Sequence, residues 1–120
     1  MEMILECPFD EIQQSDLEQA VRTNLPWEKL DGKTVFVTGA TGLVGSQLVK
    51  VLLAANRIRR TNIRVIALVR SAEKAKRVFG HLLERPELVL HYGDVTAPVE
   101  VEGSVDYIIH AASQTASKEF

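Results

Sequence analysis

The chain has 120 residues, 46% of them hydrophobic and 25% charged, with a net charge of −2. That is room for one domain with a modest core. The near-neutral balance gives no electrostatic footprint for nucleic acid or an anionic membrane surface. The single Cys7 rules out an internal disulfide and fits a reducing cytosol. Met1 to Asp10 lacks the basic start and apolar run of a signal peptide, and no apolar run approaches the roughly 18–20 residues of a membrane span. A cytoplasmic protein is the expectation. Arg57, Arg59, Arg60 and Arg64 cluster locally, as do Arg70, Lys74, Lys76 and Arg77. A solvated rim around a sheet accounts for most of them.

In chain order, the residues before Ser15 carry no clear period. Ser15-Asp16-Leu17-Glu18 reads as a capping box opening a short helix, with Leu17, Ala20 and Val21 on one face. Pro26 ends it near Thr23 or Asn24. Trp27 is read as a packing anchor, and Asp31-Gly32 as a turn. This first part, 1–32, reads as an extension packed on the edge of a main domain, 33–120. Thr34 to Thr38 is a strand whose apolar density suits burial on both faces of a parallel sheet. A helix follows from Leu43 to about Asn56, with Val44, Leu48, Val51, Leu52 and Ala55 on one face. Asn62 to Val69 is the second strand, and the crossover between the two is long enough for a right-handed βαβ unit. Ser71 caps a helix from Ala72 to Phe79, stopped by Gly80. Leu88 to Tyr92 and Val105 to His110 are the third and fourth strands. This alternation predicts an α/β fold, a partial Rossmann sheet of order 3-2-1-4 with helices on both faces, plus the N-terminal helical extension.

Ligands in such sheets bind beyond the strand carboxyl ends, where the order reverses, between strands 1 and 4. Two loops fall there: Gly39-Ala40-Thr41-Gly42-Leu43-Val44-Gly45 and Ala111-Ala112-Ser113. Gly39 permits a sharp turn, Gly42 lets backbone N–H groups approach a pyrophosphate, and Gly45 lets the helix pack closely on the sheet. The helix dipole and free N–H groups then face the phosphates. A purely structural glycine loop is the alternative. A nucleoside triphosphate loop is excluded, because no lysine follows Gly45. The acid that commonly holds an NAD ribose at the end of strand 2 is missing: the chain reads Leu68-Val69-Arg70-Ser71. Arg70 either holds a 2′-phosphate or stacks on adenine, or belongs to the charged rim; the first leans the cofactor toward NADP over NAD. His81 and His91 carry no partner signal and form no metal spacing with Cys7. His110 is read as a strand-end packing residue.

The spacing Gly39-x-x-Gly42-x-x-Gly45 resembles the extended short-chain dehydrogenase/reductase family. So do Gly93-Asp94-Val95 and Asp106-Tyr107-Ile108-Ile109-His110-Ala111-Ala112-Ser113. The match covers about residues 33–120. Within the family, His110-Ala111-Ala112-Ser113-Gln114-Thr115 and the leader with Trp27 look most like NAD(P)-dependent nucleotide-sugar epimerases and dehydratases of polysaccharide pathways. The resemblance implies that Gly39, Thr41, Gly42, Leu43 and Val44 line the pyrophosphate. It implies that Asp94 accepts from the adenine amine with the Val95 backbone nearby, and that Ala111, Ala112 and Ser113 lie against the pyrophosphate and nicotinamide ribose. Asp94 as a turn-former and Ser113 as a helix cap are the competing readings.

That family oxidises through a Tyr paired with a Lys four residues on. Tyr92 is followed by Thr96 and Tyr107 by Ala111, so no catalytic residue is assigned. The expectation is the N-terminal portion of a longer enzyme, inactive alone, meeting a nucleotide-sugar only in its full-length parent. A non-catalytic redox-sensing module and a fragment of a thioester reductase are the alternatives. The fourth strand, 105–110, then lies on an open apolar edge, which predicts self-association.

Overall fold

The computed structural model describes residues 5–7, 10–23, 27–93 and 105–111. Its elements are α1 (Glu11–Arg22), β1 (Thr34–Thr38), α2 (Leu43–Arg59), β2 (Arg64–Val69), α3 (Ala72–Phe79), β3 (Leu88–Tyr92) and β4 (Tyr107–His110), with 3-10 turns at Trp27–Leu30 and Gly80–Glu84. The four strands form one parallel sheet of order β3-β2-β1-β4. Val35 lies opposite Val65 on one side and Tyr107 on the other. The predicted α/β architecture and strand order therefore hold.

Alternation along the strands divides the interior in two. Val35, Val37, Val65, Ala67 and Val69 join Val49, Leu52 and Leu53 of α2 and Ala75 and Phe79 of α3 in the larger core. Phe36, Ile66 and Leu68 form a smaller cluster from the other face, with Val89 and Val105 against it. Among the described residues, the helices packed on the sheet belong to the first of these faces. Val21 and Trp27 extend the larger core. Trp27 is a packing residue as expected, buried in the larger core; its indole N–H is buried with no hydrogen-bond partner among the described residues.

Several local expectations are corrected. The first helix opens five residues earlier than the Ser15 box: Asp10 is its cap, accepting from the Gln13 N–H at 3.0 Å. Glu18, the far member of the supposed box, instead takes hydrogen bonds from Gln14 and Arg57. The principal neighbour of α1 is α2. Asn56 does not end α2, which continues to Arg59. Its amide group instead brackets Ile63, donating to that residue's carbonyl at 2.9 Å and accepting from its N–H at 2.8 Å. That pairing removes Ile63 from the ladder, and β2 begins at Arg64. Likewise β4 begins at Tyr107, because the Asp106 carboxylate takes the Thr34 N–H at 2.8 Å in place of a strand carbonyl.

The predicted face of α2 is also shifted. Gly45, Ser46, Val49, Leu52, Leu53, Ala54 and Ala55 are buried, while Val44 is 60% exposed. In the same first turn Leu43 is 83% exposed, so among the described residues its two apolar side chains face away from the core.

Most of the arginines from Arg57 to Arg64 were expected at a solvated rim; Arg59 is exposed there but hydrogen-bonded, and Arg57 is half-buried. Arg59 donates to the Val21 and Thr23 carbonyls at 2.8 and 2.9 Å, tying off the end of α1. Arg57 reaches Glu6 and Glu18 at 3.0 and 2.6 Å. Glu6 is fully enclosed: it accepts from Arg57, from Gln14 at 2.9 Å and from Arg85. Arg85, also buried, donates to the Leu53 carbonyl at 2.8 Å and to Glu87 at 2.6 Å. Burial pushes the Glu6 carboxyl up, but the hydrogen bonds from Arg57, Gln14 and Arg85 outweigh it and leave the group below its ordinary value. A buried carboxylate is tolerated only with such pairing. The neighbouring Cys7 thiol is free and buried, and burial pushes it up, away from the thiolate.

Candidate functional site

The site is built where β1 ends. Thr38 is buried, and its hydroxyl lies 3.5 Å from the Ile109 carbonyl and 3.4 Å from Nδ1 of His110. The Ala111 N–H donates to the Thr38 carbonyl at 3.2 Å. These contacts tie together the carboxyl ends of β1 and β4, the two strands at which the sheet order reverses. The chain then turns at Gly39, whose φ is +62°, a conformation that L side chains rarely adopt. The Gly42 N–H closes the turn on the Gly39 carbonyl at 3.0 Å.

At Gly42 the helix α2 begins, with an extended cap residue and no side-chain capping bond. The opening N–H groups of an α-helix have no carbonyl one turn back, and here Gly42 has no side chain to meet them. The first internal bond runs from the Ser46 N–H to the Gly42 carbonyl at 2.9 Å. First-turn backbone donors and the positive end of the helix dipole therefore face the crevice.

Gly45 fixes how close the helix comes. A Cβ on it would lie 2.0 Å from the Gly39 carbonyl oxygen and 3.0 Å from the Ala40 Cα. A Cβ on Gly42 would lie 3.3 Å from that same oxygen. Turn and helix thus meet backbone to backbone. The resulting cradle is shaped for a compact anionic group, and a side chain at Gly45 would force it apart. The residues present fit a dinucleotide pyrophosphate.

The remaining predicted site residues fall as follows. Leu43 and Val44 stand exposed on the first turn of α2, and Thr41 is half-buried in the loop. Ala111 follows β4 directly, in reach of the same crevice. Arg70 is exposed immediately after β2, beside Ser71, whose hydroxyl oxygen caps α3 by accepting from the Lys74 N–H at 3.2 Å. Asp94, Val95, Ala112 and Ser113 lie outside the described residues. His110 is exposed, not packed as its strand-end position suggested. Thr38 is the site residue that the sequence reading passed over. Its position, one before the turning glycine, was the available signal.

The family described as NAD dependent epimerase/dehydratase matches residues 35–119, from the first residues of β1 onward. The chain belongs to the NAD dependent epimerase/dehydratase family. Within this family it is similar to the "GDP-mannose 4,6-dehydratase sdnI" of Sordaria araneosa, at 34% identity over 88 residues. That match takes in 69% of this chain and 15% of the relative. For an epimerase/dehydratase domain, the bound group implied is an NAD(P) dinucleotide. Among the described residues, no cluster of three or more His, Cys, Asp or Glu is placed to hold a metal ion. No helix among them is long and apolar enough to cross a membrane.

Proposed function

We propose that this chain is the dinucleotide-binding portion of a cytoplasmic NAD(P)-dependent nucleotide-sugar epimerase or dehydratase, without catalytic activity by itself. The backbone contact of Gly45 with Gly39 carries the reading. It leaves the first turn of α2 open to a pyrophosphate and leaves no room for a side chain. In this reading residues 33–120 form the binding unit and 1–32 its extension. Gly39, Thr41, Gly42, Leu43 and Val44 line the pyrophosphate. Ala111, with Ala112 and Ser113, lies along the nicotinamide ribose, and Asp94 and Val95 take the adenine. The dinucleotide supplies hydride transfer when bound. The chain's own part is to hold the anion on backbone donors and to orient it across the β1–β4 crevice.

Arg70 supports NADP over NAD. It is exposed just after β2, the position from which an acid would hold the ribose hydroxyls of NAD, and Ser71 keeps its hydroxyl hydrogen to donate while its oxygen caps α3. A calorimetric titration of the 120-residue chain tests both levels. The expected result is saturable binding of both dinucleotides, tighter for NADP, with that preference lost in Arg70→Ala. A clear preference for NAD removes the phosphate role of Arg70, and no binding of either removes the whole reading. The parent activity is tested by the codons after Phe120, where a Tyr-x-x-x-Lys is expected; a natural stop codon there favours a non-catalytic binding module.

Self-association belongs to the same proposal. β4 stands at the edge of the described sheet, with Tyr107 46% and Ile108 59% exposed. An apolar strand with unpaired backbone groups is a template for a second copy.

A further inference from the structure

The buried ionic knot around Glu6 lies far from the glycine turn, yet both grip the same helix. α2 is a single element of 17 residues. Near its start, Gly45 rests on the Gly39 backbone. Near its end, the Leu53 carbonyl takes a hydrogen bond from Arg85, and Arg57 is held by Glu6 through both Nε at 3.3 Å and Nη2 at 3.0 Å. Glu6 touches both arginines and, through Gln14, α1 as well. From Gly45 to Arg57 is about 18 Å of helix at 1.5 Å per residue.

We propose that Glu6 is a positioning residue for the glycine turn: it fixes the far end of α2 and thereby the angle at which the helix presents its first-turn N–H groups. This rests on the dinucleotide reading above. Core packing of Val49, Leu52 and Leu53 seats the middle of α2 on the sheet, and the contacts near its two ends set the angle at which it lies there. The glycine contact alone is a poor clamp, because it is a bare backbone touch with no side chain to wedge it. The second hold sits on Leu53 and Arg57, and both of its guanidinium groups converge on one carboxylate. Arg85 also carries the restraint to the approach of β3 through Glu87, so the carboxyl half of α2 is referenced to the sheet as well as to α1. Glu6 touches no part of the crevice, and its effect on binding is transmitted through the helix.

The test uses the 120-residue chain with Glu6→Gln and Glu6→Asp. Two amides report on the turn itself: Gly42, bonded to the Gly39 carbonyl at 3.0 Å, and Ser46, bonded to the Gly42 carbonyl at 2.9 Å. In Glu6→Gln their hydrogen exchange is expected to quicken and NADP affinity to fall, each by about tenfold, within the range for groups acting on a site from a distance. Circular dichroism should still show the fold, and Glu6→Asp should recover part of both effects. If exchange rises only in α1 while Gly42, Ser46 and the affinity stay unchanged, the proposal is overturned and Glu6 merely docks the extension. Should Glu6→Gln fail to fold, Arg57→Lys keeps the charge and loses the two-pronged contact; unchanged exchange at Gly42 and Ser46 in that variant overturns the proposal equally. If the unaltered chain takes up neither NADP nor NAD, the dinucleotide reading falls, and the two amides alone decide whether Glu6 positions the turn.

Discussion

The two ends of α2 are built on opposite plans. At its start, backbone meets backbone, no side chain caps the helix, and Leu43 and Val44 stand 83% and 60% exposed. Toward its end, a buried carboxylate, two arginines and a main-chain carbonyl satisfy one another. Polar groups left open beside exposed apolar side chains make sense where a ligand completes the packing. Polar groups closed on each other make sense where the helix must be held still. One helix thus carries both a binding end and an anchoring end, and the comparison can be attacked from either side.

The anchoring end should show the largest stability effect. Arg85→Ala leaves the buried Glu6 and the half-buried Glu87 with too few donors, and a loss of about 3–5 kcal/mol is expected, read by urea denaturation. A change below 1 kcal/mol would mean that the knot is ornamental. At the binding end, Gly45→Ala sets a Cβ 2.0 Å from the Gly39 oxygen. Overpacking of this kind costs about 1–3 kcal/mol, and the shift of turn against helix should abolish dinucleotide binding even where the fold survives. Gly42→Ala meets the same oxygen at 3.3 Å and should be milder, about 1 kcal/mol for a poorer N-cap residue.

Acid distinguishes the ends further. Burial raises the Glu6 carboxyl, but its hydrogen bonds outweigh that and leave it lowered in the fold; those from Gln14 and Arg57 lower Glu18. A lowered carboxyl stabilises the fold fully above its unfolded value, about 4.3, and that stability is lost as pH falls through the folded value. Thermal melting should therefore weaken below about pH 4.3, with a shallower fall in Glu6→Gln. An equal fall in both would assign the acid sensitivity elsewhere. The smallest effects concern the periphery. Arg60 closes α2 at φ +57°, so Arg60→Gly should gain about 1 kcal/mol. Sedimentation should show concentration-dependent association that Ile108→Lys suppresses; a monodisperse monomer at high concentration contradicts the edge pairing.

Which end could be read in the sequence follows from the reach of the interactions. The glycine turn was legible because its parts lie within seven residues, between an apolar strand and a helix. Strand order followed from the β/α alternation of a doubly wound sheet, and the ends of α3 from Ser71 and Gly80. The knot was not legible. Glu6 meets Arg57 and Arg85 across 51 and 79 residues of chain, and nothing periodic marks such partners. For the same reason Arg57 passed for a rim residue and Asn56 for a helix stop. The face of α2 was misjudged at Val44, because hydrophobicity cannot report which side of a first turn meets the core. Four predicted contacts, Asp94, Val95, Ala112 and Ser113, lie outside the described residues.

The central claim is that the turn from Gly39 to Gly45 receives the pyrophosphate. Amide chemical shifts of the isotope-labelled chain, titrated with NADP, address it directly. The account predicts saturable shifts largest at Gly39, Gly42, Leu43, Val44 and Gly45, with a second group at Ala111, all absent in Gly45→Ala. Binding whose shifts avoid that turn, or persist unchanged in Gly45→Ala, would contradict it.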